Sequence, residues 1–382
     1  MSKKPKSEAE VFQLFTKMKL VNEKSNLLEN PQFLKWTNAV TKGYKDSQAA
    51  DMAIASTLAR QHGDKGLAKI IVEAKKVSST ENVAAKLEED QMKNWLNQKE
   101  TADYVLRVLK LEKDGYISFR SPLLGTWVSY VKMMKENPYK LLLVKMRAHD
   151  SDEIIASLVA SAKREVVGTT IVHKVEDVLL DSWMPRSADD VFKLLKLDSI
   201  GSKLFNNPRL STWVSYVTKL KGTQADEQMY TVLRAAYGDD ELAMMLVGSK
   251  QYTMSDLARR LEEMQQKVWV GEGKTAKEIF TTMKLNTQDD QLFESPAFHS
   301  WFNYVTKLSP KSADELMLST LKTSYKDDAV LAKMFVAAKE SPSTKAIAEK
   351  LEQAQMTDWL RNEKSVDDVF KLLKLDDAWI IF

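Results

Sequence analysis

DDVFKLLKLDSIGSKLFNNPRLSTWVSYVTKL, residues 189–220, carries the pattern that decides the fold. Residues 189–197 read as an apolar helix ending in Lys-Leu. A short polar loop holding Leu204 follows, and Asn207-Pro208 opens a second helix. The asparagine oxygen caps free amides of the first turn, and proline suits the first helical position because its missing amide costs nothing there. Leu210, Trp213, Val214 and Val217 then fall at i, i+3, i+4 and i+7, one apolar stripe. Met229, Val232, Leu233 and Ala236 repeat that spacing. Leu242, Met245 and Leu246 mark a short fourth helix, and Leu257, Leu261, Met264 and Val268 a fifth that ends at Trp269.

The unit recurs along the chain. Trp36, Trp127, Trp213 and Trp301 are separated by 91, 86 and 88 residues, and Trp95, Trp183, Trp269 and Trp359 by 88, 86 and 90. A fixed period marks stacked copies of one supersecondary unit. Lys-Leu helices end at Leu20, Leu111, Leu197, Leu285 and Leu375. A further apolar point comes seven residues on at Leu27, Leu204 and Leu292, whereas the second copy offers Ile117 and Phe119. Cap-plus-proline steps stand at Asn30-Pro31, Ser121-Pro122, Asn207-Pro208 and Ser295-Pro296. Tyr237 and Tyr325 lie 24 residues after Trp213 and Trp301; the first two copies place His62 and His149 near that point. The first tryptophan series, these two tyrosines and these two histidines form the expected core.

Four modules follow from the period, at 1–97, 98–185, 186–271 and 272–361, with 362–382 starting a fifth. The second tryptophan series and Leu111, Leu197, Leu285 and Leu375 are the expected packing residues between modules. Each Lys-Leu helix is expected to bury its apolar side chains against the last helices of the preceding unit, the fifth against the fourth module. Ser187/Asp190, Thr275/Glu278 and Ser365/Asp368 read as capping boxes only a few residues past a tryptophan. Such short connections predict an all-α, elongated and stiff array of about five helices per unit, stacked end to end.

Composition narrows the function. The 382 residues are 44% hydrophobic, ample for buried cores. With 56 basic and 53 acidic residues there is no strong footprint for nucleic acid or anionic membrane. The absence of cysteine removes disulfides, thiolate zinc sites and cysteine catalysis. No apolar run approaches the ~20 residues that span a bilayer, and residues 1–6 lack the apolar stretch of a signal peptide. Gly271-Glu272-Gly273-Lys274-Thr275 hints at a phosphate loop, but Val268 stands where that motif needs its first glycine. His62, His149, His173 and His299 have no metal-ligand spacing. Asp189-Asp190, Asp239-Asp240, Asp289-Asp290, Asp327-Asp328 and Asp367-Asp368 mostly mark helix starts, where the macrodipole favours negative charge. No catalytic, cofactor or metal site emerges, and a non-enzymatic protein-binding role is expected.

The paired tryptophan and tyrosine spacing, the Lys-Leu helices and the period near ninety resemble the WY/LWY tandem-repeat RXLR effectors of oomycetes such as Phytophthora. In that resemblance Trp36, Trp127, Trp213 and Trp301 match the Trp position, Tyr237 and Tyr325 the Tyr position, and Leu111, Leu197, Leu285 and Leu375 the L motif. His62 and His149 depart from it. The first unit resembles a WY module and the next three LWY modules. Members carry a secretion signal and an Arg-x-Leu-Arg motif; neither occurs here, so a processed effector domain is expected. The resemblance implies a monomeric protein, secreted, translocated into the host plant cell, acting in its cytoplasm or nucleus, and suppressing immunity. It further implies binding the scaffold subunit of host protein phosphatase 2A in place of a regulatory subunit, a contact placed in modules one and two. The alternative is an RNA-silencing suppressor that binds small RNA or silencing proteins.

Overall fold

The computed structural model describes residues 7–23, 27–113, 116–165, 170–249 and 254–375, with backbone only at 289–290. Residues 376–382 of the expected fifth copy, and the side chains of Asp289 and Asp290, lie outside that description. The chain divides into two compact units, Met1–Met184 and Pro185–Phe382.

The first unit holds two repeats. Repeat one contains α1 (Glu8–Lys17), α2 (Pro31–Thr41), α3 (Ser47–Ala74) and α4 (Glu81–Asn97). Helix α3 is two helices joined at Gly63, whose φ of 70° puts the backbone in the left-handed region that glycine enters without a Cβ clash. Repeat two contains α5 (Ala102–Val108), a hairpin of β1 (Glu112–Lys113) and β2 (Tyr116–Ile117), then α6 (Leu124–Met133), α7 (Pro138–Arg147), α8 (Asp152–Glu165) and α9 (Thr170–Trp183). The hairpin pairs Glu112 with Ile117 and Lys113 with Tyr116, where other repeats carry 3-10 turns. Helix α6 starts two residues after Pro122, later than the proline step predicts.

The second unit holds α10 (Ala188–Leu194), α11 (Pro208–Lys221), α12 (Ala225–Gly248) and α13 (Ser255–Gly271) as repeat three. Helix α12 turns at Gly238, φ 77°, as α3 does at Gly63. Repeat four contains α14 (Ala276–Thr282), α15 (Pro296–Leu308), α16 (Ala313–Tyr325), α17 (Asp328–Lys339) and α18 (Lys345–Arg361), and α19 (Val366–Leu372) begins the next copy. Asn30, Asn207 and Ser295 accept from the amides of Gln32, Arg209 and Ala297, so the cap-plus-proline steps start α2, α11 and α15. All three capping boxes form.

The Lys of every Lys-Leu step is a helix stop. Lys19, Lys110, Lys196, Lys284 and Lys374 all take positive φ, and the Leu111, Leu197 and Leu375 amides fold back onto carbonyls five residues earlier. This is the left-handed closure that satisfies a helix's last carbonyls. Gly273 ends α13 in the same way, with the Lys274 amide donating to Trp269 O at 2.9 Å. The glycine-rich stretch at 271–275 is therefore a helix end leading into the Thr275 cap.

Candidate protein-binding interface

Each first-series tryptophan is buried and spans its own repeat. The indole Nε1 of Trp36, Trp127, Trp213 and Trp301 donates to the carbonyls of Val11, Ala102, Ala188 and Ala276, at 3.2, 2.8, 2.8 and 2.8 Å. Every one of those carbonyls lies 25 residues earlier, on the Lys-Leu helix of the same copy. Phe15, Phe192 and Phe280 of those helices meet the same rings edge-on, each at 4.9 Å between centroids. The Lys-Leu helix thus contributes to the core of its own repeat, and α14 also joins the apolar side chains of the repeat before it, as expected at that junction. Leu111, Leu197 and Leu285 are buried.

Leu375 differs. It is 41% exposed, and α19 contains no buried residue. Its Phe370 holds the place of Phe192 and Phe280, but those rings owe their burial to a tryptophan sixteen residues past each Lys-Leu leucine. On the fourth module Val369, Leu372 and Leu373 are half-buried and Lys374 pairs with Asp327 at 2.8 Å, but none of the helix's apolar side chains is fully buried, which corrects the expected burial of the fifth copy over its described residues.

The Trp–Tyr positions also need correction. Tyr237 and Tyr325 are half-buried, with hydroxyls donating to the carbonyls of Leu197 and Leu285. His149, expected in the core, is exposed and lies 4.0 Å from Glu112. In the hairpin beside it the Ser118 amide donates at 2.9 Å to Leu111 O, the counterpart of the carbonyls that accept from Tyr237 and Tyr325. His62 is half-buried, and beside it Gln61 donates to Val21 O at 3.3 Å.

The second tryptophan series forms seams. Trp95 meets Tyr130 of the next repeat edge-on at 5.4 Å, and Trp269 meets Tyr304 at 5.7 Å. The hydroxyls of Tyr130, Tyr216 and Tyr304 donate at 2.6 Å to the linker carbonyls of Glu100, Arg186 and Lys274. Burial pushes the Tyr304 hydroxyl up to about 12, so the proton that makes this bond stays in place. Sequence reading missed these tyrosines. The available signal was Trp-x-x-Tyr, present in copies two to four and replaced by Trp36-x-x-Ala39 in the first copy.

Buried polar groups accompany the aromatics. Thr126 donates to Glu88 across the first seam at 2.9 Å, and Ser300 donates to Glu262 in the corresponding place of the other. Glu262, Gln265 and Gln266 are buried while Met264 and Val268 of the expected stripe are only half-buried. One core runs through the seam between repeats three and four, joining Ala243, Val247 and Trp269 to Ile279, Phe280 and Trp301. The indoles of Trp95, Trp183 and Trp359 donate to Asp64, Asp152 and Asp328, each 31 residues earlier. Trp269 Nε1 is buried without a partner among the described residues. The position 31 residues before it is Gly238, and neighbouring Asp239 is held by Arg234 at 2.7 Å.

Reactive chemistry is sparse. Among the described residues no cluster of His, Asp and Glu could hold a metal, and no helix is long and apolar enough to cross a membrane. A groove of about 600 Å³ beside Arg259, Gln266 and Lys307 has charges engaged: Arg259 with Glu263 at 3.0 Å, Lys307 with Gln266 at 2.7 Å. Among the described residues the carboxyl of Asp90 is strongly shifted, raised to about 6 by burial first and by Asp51 second. It stands five residues before Trp95, where the other copies have Val178, Met264 and Ala354, so it is a departure of one repeat and has no acid/base partner built around it. What the surface offers is variation between copies. Among the described residues repeat two alone carries a hairpin, and that repeat exposes Tyr116 on the hairpin, Val144 on α7 and Ile154 on α8.

Comparison with known proteins agrees with this architecture. A family profile described as "Effector PexRD54, WY-domain" matches residues 182–217. The chain is 30% identical over 374 residues, 95% of its length, to the RxLR effector protein PSR2 of Phytophthora sojae, and 28% identical over 376 residues to the protein of that name in Phytophthora infestans. It spans only 56% and 49% of those two proteins. It is 34% identical over 255 residues to the RxLR effector protein CRE15 of Phytophthora infestans, matching 65% of this chain and 72% of that one. Among solved structures, "The Crystal Structure of PcRxLR12" aligns with a TM-score of 0.70 and 30% identity, covering 95% of this chain and 89% of that one. With its WY-type helical repeats and this breadth of similarity, the chain belongs to the RxLR effector family, the secreted effectors of Phytophthora.

Proposed function

We propose that this effector is a protein-binding adaptor, translocated into the host plant cell, that suppresses immunity by engaging the scaffold subunit of host protein phosphatase 2A in place of a regulatory subunit. Repeats one and two make that contact. The observation that carries the reading is where the repeats differ: His149 sits exposed at the Trp–Tyr position, a hairpin replaces the 3-10 turn, and Tyr116, Val144 and Ile154 of the same repeat are exposed. A frame that repeats while its decoration changes presents distinct faces along one chain. Exposed aromatic and aliphatic side chains beside polar rims are what protein interfaces bury. No metal cluster or acid/base dyad among the described residues competes with a binding role.

The test is retention of the phosphatase scaffold from plant extract by the full chain. Tyr116→Asp combined with Val144→Asp should abolish it while leaving the melting temperature unchanged, because both side chains are more than half exposed. Undiminished retention by that variant, or none by the wild type, overturns the reading.

A further inference from the structure

One position of the repeat is left unfilled in the second copy. Seven residues past the Lys-Leu leucine stand Leu27, Leu204 and Leu292, all buried, each followed by a second buried apolar side chain, Leu28, Phe205 or Phe293. In repeat four Phe293 packs on Phe335 of α17 at 5.8 Å between centroids. The second copy has Ser118 at the leucine position, exposed, and Phe119 beside it only half-buried. Nothing in that repeat plays the part of the leucine, and the segment after β2 borders an open cleft of about 290 Å³ against α7 and α8.

The cleft has apolar walls. Ile117 and Phe119 line one side, and Met146, Leu158 and Ala162 the other. Its volume falls at the bottom of the range for small-molecule sites, which suits one or two side chains better than a cofactor. The rim is asymmetric in charge. Arg120 and Glu165 neutralise each other. Asp150 lines the cleft as well, and its carboxylate makes no ion pair or hydrogen bond among the described residues. Among the described residues that line the cleft, the uncompensated charge is therefore negative.

We propose that this cleft is a docking site for a leucine side chain of a partner protein, with a lysine or arginine next to that leucine meeting Asp150. The partner supplies the side chain that the other three repeats supply themselves. This inference rests on the adaptor reading for its biological partner, but the chemistry of the cleft can be tested without one.

The experiment is methyl NMR of the full chain labelled at Met, Ile and Leu, titrated with blocked dipeptides. N-acetyl-Leu-Lys-amide should shift the Met146 and Leu158 methyls saturably at millimolar concentration. N-acetyl-Ala-Lys-amide should not, and N-acetyl-Leu-Asp-amide should bind at least threefold more weakly. Asp150→Asn should remove that threefold preference. Ser118→Leu fills the cleft from the hairpin side and Ala162→Leu from α8. Each should abolish the saturable shifts, and at least one should melt no lower than the wild type. Absence of saturable shifts with the Leu-Lys dipeptide overturns the proposal, as do equal shifts in both filled variants. Host-protein retention separates the two readings. Filled variants that retain the scaffold as well as the wild type remove the cleft as its contact and leave the adaptor standing. A wild type that retains nothing sinks the adaptor, and the dipeptide titration still decides the cleft.

Discussion

The seam between repeats one and two and the seam between repeats three and four share an aromatic frame and differ in nearly everything around it. Both set a tryptophan edge-on to a tyrosine, and both tie that tyrosine to the linker carbonyl at 2.6 Å. Around the frame, the first seam buries Met92, and its Glu88 is held by Lys75 at 2.6 Å. The second has Gln266 in the place of Met92, bonded to Ser300 O at 3.3 Å and to Lys307 at 2.7 Å, and Ser249 in the place of Lys75. Trp95 has an aspartate partner and Trp269 has none. A repeat can exchange a thioether for an amide, or drop a hydrogen bond to an indole, as long as ring geometry and linker closure persist. Edge-on aromatic pairs contribute about 0.5–1.5 kcal/mol beyond their buried area, and large rings leave the largest voids when lost.

That ranking can be broken or sharpened by experiment. Trp127→Ala and Trp301→Ala should each cost about 3–5 kcal/mol by chemical denaturation, since each ring is fully buried at the centre of its repeat. A loss below about 1 kcal/mol at either would show that the two frames are not equivalent. Asp90 should separate the seams by pH. The folded chain holds its proton up to about pH 6, whereas the unfolded chain releases it near 3.8. The folded state therefore binds more protons between those values, and the stability of repeat one falls as pH rises through that window, by roughly 2 kcal/mol. Asp90→Asn should flatten the profile, and a wild-type profile already flat from pH 4 to 7 would contradict the burial argument. Tyr130→Phe and Tyr304→Phe keep the ring and lose the linker bond, at about 1 kcal/mol each. Equal losses mean the closure is common to both seams; a loss at one alone confines it there. The smallest expected effect is a gain. Lys196→Gly relieves a left-handed non-glycine residue at a helix end and should raise stability by about 0.5–1 kcal/mol. A lower melting temperature would mean that the Lys196 side chain matters more than its backbone.

Much of the local structure was legible because it depends on residues close in sequence. Helix starts follow from Asn or Ser before proline, capping boxes from hydroxyl and acid three apart, and the period from two tryptophan series. The hairpin was not read, although Asp114-Gly115 between Lys113 and Tyr116 is a short-range hairpin signal. Hydrophobic periodicity misled on α13. It placed Leu257 and Leu261 correctly but put Met264 and Val268 inward, where they are only half-buried, whereas Glu262, Gln265 and Gln266 share the buried face. Polar side chains can be buried there because other helices supply their hydrogen bonds, the next repeat for Glu262 and Gln266 and α12 for Gln265, and no pattern within one helix records those partners.

The sequence by itself determined the helices, their stops, the ninety-residue period and the membership of each tryptophan in one of two series, since all of these rest on local caps, spacing and repetition. Only the tertiary structure decided which carbonyl each first-series indole takes, which tyrosines close the linkers, that His149 is exposed and where a cleft opens beside Ser118. Those outcomes turn on which carbonyl or cavity a neighbouring group occupies, 25 residues away for the indole of Trp127 and 30 for the hydroxyl of Tyr130. Occupancy of that kind is a property of packed neighbours in space, and the order of residues along the chain does not contain it.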